Sequence, residues 1–322
     1  MKNIIFLMGL PRSGTTLLQR VLASHSEVAS IAEPWVLLPL ISCFDEKITA
    51  STFGHKELKH ALTDFNLEFL EFQSRYYEHV RIFITQIYEK LSGKKKYFLD
   101  KTPRYYLIAE ELHQVFPEAK FIYLFRNPID VFDSAIDMFC SGRLYRVPFI
   151  YVDMMHGLNL LSVPIGQRKE SIYAIKYEDF CADGEFLLQQ ICKYLQINYQ
   201  SEMLINFNKV HFFGKMGDPK RYQSNGIISQ RTKNKKPLSI VRRLLYKKWI
   251  NNIKTISWEV SGYSKDEVLL QLYSRPNSSL IKQFDDLTGF IVCNIVLLLG
   301  YKLSSKLKKW QINSDELNPF PY

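Results

Sequence analysis

The sequence predicts an α/β fold: an open parallel sheet flanked by helices, with a helical C-terminal extension. Short continuous apolar runs, which suit strands buried on both faces, alternate with longer segments of helical spacing. The first such run passes through a glycine turn directly into an amphipathic helix. Of the 322 residues, 47% are hydrophobic and 23% charged, enough apolar side chain for a large core and too much for a disordered chain.

The elements follow in order. Asn3–Met8 (NIIFLM) reads as a buried strand. Residues 9–16 form the turn, and Leu17, Leu18, Val21 and Leu22 then share one helical face. Residues 28–32 are a weaker strand candidate; 97–99, Lys120–Phe125 and Ile172–Lys176 are stronger ones. Between them, the spacing over 58–91 is helical. Its aromatic stripe, including Phe65, Phe69, Phe72, Tyr76, Tyr77 and Phe83, reads as core, with a part in lining a pocket left open. Parallel strands joined this way require right-handed crossovers. The chain is expected to divide into one domain over 1–250 and a helical extension over 251–322 packing on it.

The net charge is +10, and residues 209–254 hold thirteen Lys or Arg against one acid, Asp218, so the rest of the chain is slightly acidic. Such a stretch, a loop and then a basic helix near 242–249, points to an anionic partner. It lacks the regular aromatic interleaving of a nucleic-acid surface, so nucleic acid is not expected. Five scattered cysteines without a C-x-x-C pair imply free thiols in a reducing compartment, hence a cytoplasmic protein. Seven histidines without H-x-H or H-E-x-x-H spacing argue against a metal site. The apolar N-terminus is cut short by Pro11-Arg12 and is not a signal peptide. The uncharged 287–301 run makes a helix of about 22 Å, short of the roughly 30 Å bilayer core. Together with the basic residues around it, the run suggests peripheral contact with an anionic membrane.

Gly9-x-x-x-x-Gly14-Thr15-Thr16 has the frame of a P-loop. Its glycines let backbone wrap a phosphate, and the following helix presents free N–H groups to the anion. Ser13, Gly14, Thr15 and Thr16 are therefore candidate phosphate contacts. Thr15 stands where nucleotide hydrolases carry Lys, and Arg12 supplies a cation from inside the loop. A triphosphate with a transferable γ-group fits such a loop poorly; a shorter 5′ anion fits better.

A second motif, Arg126-Asn127-Pro128-Ile129-Asp130 running on to Ser134, follows the 120–125 strand. Pro128 suits a first helical position. Together the two motifs resemble the sulfotransferase family, whose members carry P-[RK]-[ST]-G-T-[ST] after the first strand and R-[ND]-P-x-D-x-x-x-S later. The resemblance covers about residues 3–180 well and 180–250 loosely. It implies 3′-phosphoadenosine 5′-phosphosulfate (PAPS) as donor, adenosine 3′,5′-bisphosphate (PAP) as product, a hydroxyl-bearing acceptor and no metal. The 9–16 loop would take the 5′-phosphosulfate, and Arg126 with Ser134 the 3′-phosphate.

Finer resemblance, to the protein-tyrosine and bacterial branch, rests on Pro-Arg-Ser-Gly-Thr-Thr followed by His25 and Glu33. It implies Glu33 as general base, Lys101 (in Asp-Lys-Thr-Pro) with Arg12 as cations on the sulfuryl group, and Tyr177 (in Tyr-Glu-Asp) on the nucleotide. Lys220 and Arg221, in Gly-Asp-Pro-Lys-Arg, are implied as further donor contacts. His25 reads as a structural residue at the end of the first helix. Trp35 replaces an Arg that tyrosyl-protein enzymes keep, which weakens the case for an acidic peptide acceptor; Met138 replaces another Arg one turn beyond Ser134. Independently of any family, the 9–16 loop, Glu33, Lys101, Arg126 and Tyr177 each fall at or just past a strand's carboxyl end, where open parallel sheets bind ligands. The competing classes are a P-loop nucleotide kinase or phosphotransferase and a non-catalytic nucleotide-binding protein.

Overall fold

The computed structural model describes residues 3–44, 55–167, 172–212 and 236–307. Five parallel strands form one sheet in the order β2-β3-β1-β4-β5: β1 Asn3–Met8, β2 Val28–Ser30, β3 Tyr97–Asp100, β4 Lys120–Phe125 and β5 Ile172–Lys176. β1 is central, with Ile5 in register with Leu99 on one side and Lys120 on the other. The expected open parallel sheet is thus present, with β2 shorter and β3 one residue longer than the sequence suggests.

Alternation along the strands explains why the runs are apolar throughout. Phe6, Met8, Phe98, Phe121 and Tyr123 belong to one buried cluster; Ile5, Leu7, Leu99, Ile122 and Leu124 belong to another. A strand with helices on both faces has no position to leave polar. The second cluster is closed by helices Thr15–Ala23 and Gly184–Leu195, through Leu18, Val21, Leu22, Leu188 and Ile191. On the other face lie helices Phe72–Ser92, Ala109–Val115 and Pro128–Phe139.

The 58–91 region is not one helix. His55–Glu68 and Phe72–Ser92 are separate helices, and the Asn66 side chain accepts a hydrogen bond from the Gln73 amide across the break, at 3.1 Å. Phe65 and Phe83 are exposed, whereas Tyr77 is buried, so the aromatic stripe is only partly core.

Between 236 and 307 the chain is mostly helical: Ile240–Asn252, Thr255–Ser261, Lys265–Tyr273 and Leu280–Leu307. These helices grip Pro128–Phe139 through a buried polar cluster. Tyr246 donates to Asp133 Oδ1 (2.7 Å), and Arg275 donates to Asp133 Oδ2 (2.5 Å) and lies 3.5 Å from Asp130. All five cysteines are free, and burial pushes the Cys140 and Cys192 thiols up to about 11. Among the described residues no helix is long and apolar enough to cross a membrane.

Candidate active site

Strand order lays the candidate residues out as a strip along the carboxyl edge of the sheet. Glu33 follows β2, Lys101 follows β3, the 9–16 loop follows β1, Arg126 follows β4 and Tyr177 follows β5. Residues far apart in sequence become neighbours because their strands do.

The middle of the strip is the glycine turn. Arg12 sits at φ 74° and Gly14, the N-cap of Thr15–Ala23, at φ 101°. A side chain at Gly14 would be strained in that conformation and would place its Cβ 2.4 Å from the Tyr177 ring. Ser13 Oγ donates to Leu10 O at 2.8 Å, so this hydroxyl also ties the turn to itself.

On the β4–β5 side, Asn127 caps Pro128–Phe139 by accepting from the Ile129 amide, and Pro128 occupies the first helical position. Arg126 Nη1 donates to the Arg12 carbonyl at 3.0 Å, and Arg12 Nε donates to Ser134 Oγ at 3.1 Å. The spacing of eight between Arg126 and Ser134 has no helical explanation by itself; Arg12 joins the two. The Arg126 guanidinium lies over the Tyr177 ring, 4.5 Å from its centroid. Its Nε is buried without a hydrogen-bond partner among the described residues. The unpartnered guanidinium donor supplies the polarity that a phosphate needs, while the close approach that Gly14 permits is taken by the Tyr177 ring.

On the β2–β3 side, Lys101 is buried, with Nζ 2.6 Å from Glu33 Oε1 and 3.3 Å from Thr16 Oγ1. The other carboxylate oxygen, Oε2, accepts the Trp35 indole N–H at 3.2 Å. Trp35 holds a left-handed conformation (φ 57°), and its amide donates to Thr102 Oγ1 at 3.4 Å. Below this, Asp100 is fully buried and accepts the Tyr88 hydroxyl at 2.5 Å. Burial pushes the Asp100 carboxyl up to about 6, only partly offset by hydrogen bonds from Tyr88 and its neighbours. Burial also raises the Tyr88 phenol well above its ordinary value, so it remains a donor.

Arg12, Ser13, Gly14, Thr15, Thr16, Glu33, Lys101, Arg126, Ser134 and Tyr177 are thus brought to one edge. Lys220 and Arg221 lie outside the described residues. His25 is buried, with Nε2 2.7 Å from Asn198 O and Nδ1 accepting from the Glu27 amide, a structural role just past the first helix. Sequence reasoning treated Trp35 only as a departure, although it contacts Glu33 directly. It also missed Glu178, two residues past β5, which accepts from the Asn127 amide (3.1 Å) and from the Tyr263 hydroxyl. An acid just after Tyr177 is visible in the sequence; its partner at 263 is not. Among the described residues no three His, Cys, Asp or Glu side chains are grouped to hold a metal ion.

The chain is 34% identical over 153 residues to Nodulation protein NoeE of Sinorhizobium fredii, covering 46% of this chain and 33% of that protein. It is 22% identical over 206 residues to a Putative protein-tyrosine sulfotransferase of Caenorhabditis briggsae, covering 63% and 69%. The match therefore spans only a third of the length of the first relative. Among solved structures, the sulfotransferase domain of the Synechococcus PCC 7002 olefin synthase aligns with a TM-score of 0.47 at 22% identity, covering 84% of this chain and 94% of that one. The model of the family described as "Sulfotransferase family" matches residues 4–201. That interval is more than half of the chain and contains both motifs, β2 to β5 and all but the first residue of β1, and on this ground the chain belongs to the sulfotransferase family.

Proposed function

We propose that this chain transfers a sulfuryl group from PAPS to an acceptor hydroxyl, with Glu33 as general base. The carrying observation is Lys101, whose ammonium lies 2.6 Å from the Glu33 carboxylate and 3.3 Å from Thr16 at the mouth of the glycine turn. A base and a cation meet there at the edge of a phosphate cradle. In this reading the 1–250 portion is the catalytic domain and 251–322 the extension packed on it.

The acceptor oxygen bonds to sulfur as the bond from sulfur to the 5′-phosphate oxygen breaks, and the hydroxyl proton passes to Glu33. PAP leaves. Lys101 and Arg12 balance the negative charge that gathers on the departing oxygen. An ammonium has three N–H donors, so Lys101 can keep Glu33 oriented while it does this. Trp35 fixes the second carboxylate oxygen and limits the directions in which the base can turn. Arg126 and Ser134 take the 3′-phosphate, Tyr177 stacks behind Arg126, and Lys220 with Arg221 add charge to the donor.

The test is calorimetry with PAP and AMP. PAP binds more tightly, and Arg126→Ala removes the difference. A charged hydrogen bond worth about 1.5–3 kcal/mol corresponds to roughly 10–100-fold in affinity. Equal affinity of the wild-type chain for the two nucleotides refutes the donor assignment.

A further inference from the structure

Over residues 280–295 the helix Leu280–Leu307 carries its exposed apolar side chains on the face turned away from the body. Asp286, Gly289 and Cys293 face the body. Asp286 is buried and takes Arg242 (2.7 and 3.0 Å) and Ser239 (2.7 Å), and a Cβ at Gly289 would sit 3.4 Å from the Tyr145 backbone nitrogen. Yet Leu280, Phe284, Leu287, Ile291 and Ile295 are 45–84% exposed. At 3.6 residues per turn these five fall within about 80° of one another, opposite the packed side. Ile281 widens the stripe. Phe149 is exposed on the neighbouring Leu144–Ile150 segment.

The charge around this surface selects its occupant. Arg143 and Arg146 flank Tyr145, and Lys282 reaches the Gly142 carbonyl at 3.3 Å, so three cations stand beside the first half of the helix. Two acids lie among them and both are paired: Asp285 with Lys282 at 2.7 Å, and the buried Asp286 with Arg242 at 2.7 Å and Lys282 at 3.2 Å. In the sequence, the uncharged run to Tyr301 is followed by Lys302, Lys306, Lys308 and Lys309, with no acid before Asp315. A second copy on this stripe would bring like charges together on a chain already at +10. An anionic lipid surface satisfies both the apolar stripe and its basic borders.

We infer that the Leu280–Leu307 helix is a membrane-docking surface that lies in the interface of an anionic bilayer. The inference stands apart from the catalytic reading and survives its failure. The test is flotation of the full chain with vesicles of phosphatidylcholine alone or mixed with phosphatidylserine. The chain floats with the anionic vesicles, about tenfold less at high salt than at low salt, and not with the neutral ones. Phe284→Asp with Ile291→Asp abolishes flotation while thermal melting and PAP binding stay as in the wild type. Should that variant fail to fold, Arg143→Glu with Arg146→Glu, on the exposed border, weakens flotation to the same vesicles. Absence of flotation with either vesicle overturns the inference, as does flotation unchanged in the variants. A dimer in light scattering that the 284/291 variant dissociates assigns the stripe to a second copy instead.

Discussion

Arg275→Ala tests how the C-terminal helices are tied to the site. Arg275 and Asp133 meet at 2.5 Å, each with only 7% of its side chain exposed, so the pair belongs to the buried regime rather than the surface one. The contact with Asp130 is 3.5 Å long and Asp130 is 41% exposed, so it adds little. Removing the arginine leaves the Asp133 carboxylate buried with the Tyr246 hydroxyl as its remaining hydrogen-bond donor. Breaking a buried pair costs about 3–5 kcal/mol; with Tyr246 still donating, the loss should fall near about 3 kcal/mol. Urea unfolding measures it directly. The double variant Arg275→Met with Asp133→Asn removes the stranded charge and keeps an acceptor for Tyr246. It should lose much less than the sum of the two single variants, since contacting residues couple. Because Ser134 follows Asp133 on the same helix, PAP binding weakens in Arg275→Ala and recovers in the double variant. A loss below about 1 kcal/mol, or single effects that add in the double variant, refutes the buried-pair argument.

The three inner strands of the sheet were legible because burial on both faces leaves them almost uniformly apolar, and NIIFLM has no other comfortable reading. The glycine turn was legible because Gly14 must hold φ 101° against Tyr177, which no other residue does cheaply. Strand order was not legible, and it is what sets Glu33 beside Lys101, since β2 pairs with β3. The pairing of Arg126 with Ser134 became intelligible only through Arg12, whose backbone and side chain each hold one of them. Arg275 and Asp133 lie 142 residues apart, and no local pattern announces such a pair. Trp35 hid for a different reason. A tryptophan at positive φ has no propensity signature, and its hold on Glu33 depends on an anchor at Thr102, on the neighbouring strand's end. The break between His55–Glu68 and Phe72–Ser92 was equally silent, since the apolar spacing runs through it.

Three further outcomes follow from the same geometry. Glu33→Gln keeps the side chain's shape and removes the basic oxygen; turnover falls by roughly two to four orders of magnitude while PAP affinity in calorimetry stays near wild type. Activity persists in EDTA; its complete loss with restoration by Mg²⁺ would instead favour phosphoryl transfer. The last outcome concerns Asp100, whose carboxyl is pushed up to about 6 from an ordinary 3.8 by complete burial. Below that ordinary value the carboxyl is protonated in both folded and unfolded chains. As pH rises toward 6 the unfolded chain gives up the proton first, so the folded state binds more protons and stability falls. Above 6 both states are ionised and this contribution is flat. Raising the carboxyl from 3.8 to about 6 amounts to about 3 kcal/mol, lost across that interval. Asp100→Asn keeps an acceptor for Tyr88 and does not titrate. The stability of the wild type relative to this variant, from urea melts at each pH, should therefore drop between pH 4 and 6 and then level off, other groups cancelling in the difference. A difference that stays constant over that interval places the ionised carboxylate comfortably in the fold. Tyr88 and Thr102 would then satisfy it fully, and burial would not be the dominant influence beneath Lys101.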